Sequence, residues 1–153
     1  MTQPSSITTF DRKAWMSLIA GAPAQDVLAL WDACAPHPGF DWLRRPETGA
    51  VMVRGRMGGT GAPFNLGEMT VTRCSLTIAD GVVGHGYVQG RSKPHAEAAA
   101  MIDALMQTGE AETVTKAILE PLQKARQASR DQRAAKAAAT KVEFFTLVRG
   151  EDA

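Results

Sequence analysis

The chain has 153 residues, with Lys+Arg 17 against Asp+Glu 16 and a formal charge of +1, a length that fits one domain or one domain with an appendage. That balance gives no support to a chain-wide nucleic-acid footprint or a polybasic membrane binder, and the longest apolar run, about five residues as at Ala98–Ile102, is too short to span a bilayer. Two cysteines, Cys34 and Cys74, exclude a disulfide-dense scaffold and a four-cysteine zinc site, and are read as reduced thiols of a cytoplasmic protein.

Trp15, Leu18, Ile19 and Ala22 fall at i, i+3, i+4 and i+7, which predicts an amphipathic helix over 9–21 rather than a leader peptide. Thr8 with Asp11 resembles a capping pair, and Gly21 is the stop. Pro23 suits the first turn of a second helix, with Val27, Leu30, Trp31 and Cys34 as its buried stripe. Cys34 is therefore a small core residue, and His37, between two prolines, a loop residue.

Residues 40–91 change character to short β-branched runs punctuated by glycine. One strand begins at Val51 and runs through Arg54-Gly55-Arg56, where a period of two puts both guanidinium groups on one face. Another spans Met69–Ile78, with Thr70, Thr72, Cys74, Leu76 and Ile78 sharing a face. Asp80-Gly81 is a hairpin turn, and residues 82–89 return. A helix then starts at Lys93-Pro94, with Ala98, Met101, Ile102 and Leu105 as its stripe, and a short one follows over 111–120. Pro121 kinks the chain or opens a further helix.

The pattern is α+β: N-terminal helices, a small mostly antiparallel sheet of three or four strands, C-terminal helices and an extended apolar tail. The α+β domain is assigned to 1–122, and a helical arm with its tail to 123–153. After Leu122 the next large apolar residue is Val142, so the Ala/Lys/Arg/Gln stretch between has high helix propensity and little to bury. Phe144, Phe145, Leu147 and Val148 then form a sticky segment, fitted to a partner chain or to the edge of its own sheet.

Gly58-Gly59-Thr60-Gly61 directly follows Arg56 and lets backbone approach an anion, yet lacks the Lys-Ser/Thr of a Walker loop. The plain alternative is a flexible hairpin connection. Gly84-His85-Gly86 misses the dinucleotide spacing. Gly90-Arg91-Ser92-Lys93-Pro94-His95 leads into a helix, where free amides with Arg91, Lys93 and His95 would favour an anion; a capped helix start with solvated basic residues explains it equally. His95 shares a helix face with Ala98 and Ile102, which favours a buried, hydrogen-bonded ring. His95-Ala96-Glu97 lacks the downstream Pro-Cys-x-x-Cys of zinc deaminases. The anion- or partner-binding candidates are thus Arg54, Arg56, Gly58, Gly59, Gly61, Arg91, Lys93 and His95. No catalytic or metal-binding constellation stands out.

Three separated blocks, Arg56-Met57-Gly58-Gly59-Thr60-Gly61, the run from Tyr87 through Glu97 to Gln107, and Phe144–Gly150, resemble the G subunit of the bacterial carbon–phosphorus lyase complex. The resemblance also reaches the Arg12–Met16 helix and covers nearly the whole chain in order. It implies an accessory subunit working with the I, H and J subunits, in a step where an alkylphosphonate displaces adenine from ATP to give a ribose 1-alkylphosphonate 5-triphosphate. It implies no catalytic residue and no cofactor in this chain, ATP and alkylphosphonate being substrates of the complex, and neither nucleic acid nor membrane as partner. A homodimer of the isolated chain is an open alternative. A competing reading is a stand-alone phosphate or nucleotide binder using Gly58–Gly61 and Gly90–His95.

Overall fold

A computed structural model describes residues 10–34 and 37–141. The element order is α1 (Arg12–Gly21), α2 (Ala24–Ala33), β1 (Phe40–Arg56), β2 (Pro63–Ile78), β3 (Val83–Gln89), α3 (Lys93–Leu105), α4 (Ala111–Val114) and α5 (Glu120–Ala139). The strands form one antiparallel sheet in the order β1-β2-β3. This is the expected α+β architecture, with three strands.

Helix α1 is capped by Asp11, whose carboxylate accepts from the Ala14 amide at 2.7 Å, satisfying one of the free N-terminal donors. It starts at Arg12, later than predicted, and Thr8 lies outside the described residues. Trp15, Leu18 and Ile19 are buried as expected. Val27 is buried on the second helix and Cys34 just past its end, while Leu30 and Trp31 are only half-buried.

The face of β2 bearing Thr72, Cys74, Leu76 and Ile78 is buried against α3, as the alternation predicts. Helix α3 is the centre of the fold, with every residue from His95 to Leu105 buried except Glu97. It can lie this close because β3 presents glycines to it. A Cβ at Gly84 would fall 2.0 Å from the Ala100 carbonyl oxygen, and one at Gly86 2.0 Å from that of Ala96. Ala96, Ala100 and Ala104 supply the matching small residues on the helix. The glycines that fail as a nucleotide fingerprint are therefore packing residues.

Two strands are longer than the sequence indicated. Strand β1 begins at Phe40 rather than Val51, and β2 at Pro63 rather than Met69. β1 carries Pro46 and Gly49, residue types that interrupt regular strands, yet it is an edge strand with register shifts between Trp42 and Arg44 and between Arg44 and Glu47, and an irregular edge accommodates a proline. Strand β3 pairs with β2 only over Val71–Thr77. The remainder of β2 pairs with β1 alone, so Ala50–Arg56 and Pro63–Thr70 make a two-stranded ribbon.

Thr115–Leu119 forms a π-helical segment that joins α4 to α5, where Pro121 sits in the first turn and removes an amide from the ladder. Pro121 thus continues the helix after a local rearrangement. Val114, Ile118, Leu119 and Leu122 are buried, and from Gln123 to Lys141 every residue is exposed. Phe144, Phe145, Leu147 and Val148 lie outside the described residues.

Candidate functional site

The hairpin tip gathers part of the predicted set. Arg54, Gly55, Arg56, Gly59 and Pro63 line a shallow hollow of about 520 Å³, so the two arginines do share a face. The turn that follows needs left-handed backbone at Gly58 (φ 60°) and Gly59 (φ 84°), which only glycine adopts freely. Its polar groups are partly committed: the Gly61 amide donates to the Met57 carbonyl at 2.8 Å, and Arg56 Nη1 to the Gly61 carbonyl at 3.1 Å. Gly61 therefore shapes the loop, while Arg54 and Arg56 supply its charge.

The α3 start is held by two threonines. Thr72 Oγ1 donates to the Gly90 carbonyl at 2.7 Å and lies 3.1 Å from Thr48 Oγ1, and the Gly90 amide donates to the Thr70 carbonyl at 2.9 Å. Ser92 caps α3 by accepting from the His95 amide at 3.2 Å. Arg91 and Lys93 are exposed, but His95 is 1% exposed and its Nε2 lies 3.0 Å from the Ile19 carbonyl, to which it donates in the neutral tautomer. Burial lowers the pKa of this imidazole and the carbonyl contact raises it, with burial dominant. His95 thus adds a second hydrogen bond to the Ile19 carbonyl, which already accepts from the Ala22 amide at 3.3 Å, and its ring sits in the core while Arg91 and Lys93 are at the surface. The two candidate anion sites also do not converge: Thr70 and Pro63 are roughly 23 Å apart along an extended strand.

Sequence reasoning missed Asp103. It is fully buried and accepts from Arg12 Nε at 3.1 Å, Arg12 Nη2 at 2.7 Å, Trp15 Nε1 at 2.9 Å and the His85 amide at 2.9 Å. The hydrogen bonds and charge of Asp103 raise the Arg12 pKa against a smaller opposing burial effect. Asp103 ties α1, β3 and α3 together. The signal was an acid amid the α3 apolar stripe, with Arg12 and Trp15 on a second amphipathic helix.

The sheet face away from α3 carries a second hollow, about 290 Å³, lined by Glu47, Val51, Val71, Arg73 and Tyr87 among others. Glu47 accepts from Arg73 at 2.7 Å and Arg44 at 3.1 Å, which holds its carboxyl below the usual range, the Arg73 hydrogen bond acting most strongly. Beyond it the ribbon exposes Met52 (52%), Phe64 (42%), Leu66 (67%) and, at the turn, Met57 (73%). Cys74 donates to the Ala96 carbonyl at 3.1 Å, and burial pushes its thiol up to about 11, which makes it a poor nucleophile. Among the described residues no three His, Cys, Asp or Glu side chains group as metal ligands, and no helix is long and apolar enough to cross a membrane.

These features describe a small α+β protein whose prominent surface elements are a cationic hairpin tip, a cationic helix start and an exposed apolar ribbon. A family model described as "Phosphonate metabolism protein PhnG" matches residues 10–150. The chain is also 43% identical over 141 residues to the alpha-D-ribose 1-methylphosphonate 5-triphosphate synthase subunit PhnG of Rhizobium meliloti (strain 1021), covering 92% of this chain and 90% of that relative. The chain belongs to the PhnG family.

Proposed function

We propose that this chain is an accessory subunit of the synthase that gives its relative a name, in alkylphosphonate degradation. In this reading it works with the I, H and J subunits of the carbon–phosphorus lyase complex. The step it supports is displacement of adenine from ATP by an alkylphosphonate, giving a ribose 1-alkylphosphonate 5-triphosphate. The reacting groups belong to the neighbouring subunits, and this chain orders or stabilises them from the cytoplasmic assembly's surface.

Family membership across residues 10–150 carries the proposal. The ribbon supports it physically: a two-stranded element is marginal in water by itself, and Met52, Phe64 and Leu66 leave a large share of their surface to be buried against another surface. Arg54 and Arg56 at its end add charge toward an acidic interface or a triphosphate. The chain purified alone is expected to release no adenine from ATP and methylphosphonate, and the same chain recombined with its partner subunits to support release. Adenine release by the single chain overturns the proposal. Removing residues 142–153 tests the tail, with weakened co-purification as the expected result.

A further inference from the structure

Helix α5 is exposed on every side from Gln123 onward and carries no large apolar side chain there, so burial does not stabilise it. Residues 123–141 carry six Lys/Arg against one acid, Asp131, so a chain of formal charge +1 concentrates its positive charge on this helix. Arg126, Arg130 and Arg133 follow each other at i, i+4 and i+7 and therefore share a face, with their Cα atoms spread over roughly 10 Å of axis. That face looks onto the corner between α1 and α2, and together they line a groove of about 620 Å³. The ion pairs among the described residues engage Arg12, Arg44, Arg73 and Lys116, and none of these three arginines.

We propose that this groove is the seat of an acidic helical segment of a partner chain. The charge row sets the match: carboxylates at i, i+4 and i+7 on a facing helix repeat the spacing of the three guanidinium groups, each of which suits a carboxylate in bidentate geometry. The rest of the lining decides against other polyanions. Leu18, Leu122 and Pro23 line an apolar wall that accepts aliphatic side chains and offers nothing to a phosphate; Asp26 on the α2 side disfavours any anion there and so leaves the arginine side of the groove to the carboxylates. The row is also longer than a single small anion can use.

The test uses the full chain and a fluorescein-labelled synthetic helix with Glu at i, i+4 and i+7 flanked by Leu, read by anisotropy across a salt series. The peptide is expected to bind, to weaken as salt rises, and to lose affinity when its Glu residues become Gln. Arg130→Glu is expected to weaken binding about tenfold or more by placing like charges in contact. Lys124→Glu makes the same charge change at a position outside the groove and is expected to cost no more than about twofold. Circular dichroism checks that both variants keep their helix. Absent binding, equal losses in the two variants, or equal binding of the Gln peptide overturns the proposal. So does displacement of the peptide by a single-stranded oligonucleotide or tripolyphosphate at equal charge concentration. The test requires no partner subunit and is independent of the activity proposed above.

Discussion

Strand β2 passes through two environments. Over Val71–Thr77 it is paired on both edges, and its Thr72, Cys74 and Leu76 side chains are sealed beneath α3. Over Pro63–Thr70 it pairs with β1 alone and displays Phe64 and Leu66 to solvent. The alternation is the same in both halves, yet only one has a layer packed upon it. The first half anchors the sheet under α3, beside the close glycine–alanine contact that β3 makes with that helix; the second leaves apolar side chains exposed. On the proposed function, stability and recognition are divided along a single strand, and substitutions should separate them.

The largest effect is expected from glycine replacements that look identical on paper. Gly86→Ala drives a methyl group into the Ala96 carbonyl and is expected to abolish folding or cost more than about 3 kcal/mol. Gly67→Ala in the ribbon meets nothing within 4 Å and should shift stability by no more than about 0.5 kcal/mol. Comparable losses in urea unfolding would break the division.

Next comes Asp103→Asn, which strips the counter-charge from Arg12 and disturbs a four-donor cluster. Because the Arg12 side chain is 44% exposed, the expected cost is about 2–3 kcal/mol, below that of a fully buried pair. Thermal melting should fall by roughly 5–10 °C. An unchanged melting temperature would show that the cluster does not hold α1 to the sheet.

The packed half should also be the pH-sensitive one. His95 has a lowered pKa in the folded chain, so the unfolded chain takes up the proton first. Stability present above about pH 6.5 is then lost as pH falls through that value and the folded pKa below it. Cys74 works in the other direction: its raised thiol pKa means stability is lost between about 9 and about 11. His95→Gln should flatten the acid limb and Cys74→Ala the alkaline limb of denaturation midpoint against pH. Limbs identical to the parent's would remove these groups from the account.

The smallest effect on the chain itself belongs to Leu66→Lys, expected to stay within about 0.5 kcal/mol. It should nevertheless weaken co-purification with partner subunits. Full retention of partners would mean that the ribbon's apolar surface is not an interface.

Much of the fold was legible because local pattern and packing agree. The stripe of α1, the buried face of β2, the Asp80-Gly81 turn and the central α3 all follow from period and punctuation. The first halves of β1 and β2 were not legible, since Pro46, Gly49 and Gly67 signal breaks that an edge ribbon tolerates. The candidate site was legible in composition more than in arrangement. Arg54 and Arg56 were placed correctly by strand alternation, whereas His95 joins the core through Ile19, a partner 76 residues away. The sequence reading of α5 stopped at a helix-prone Ala/Lys/Arg/Gln stretch and did not pick out its arginine row, whose opposing wall comes from the other end of the chain.

Among the described residues the outer flank of β1 is paired with no other strand. Seventeen residues of such an edge would ordinarily template edge-to-edge pairing of identical copies. Here Arg54 and Arg56 put like charges at one end of that flank, Pro46 removes a donor, and three register shifts make it irregular. The same irregularities that hid the strand from its sequence are features that disfavour edge-to-edge growth of identical copies.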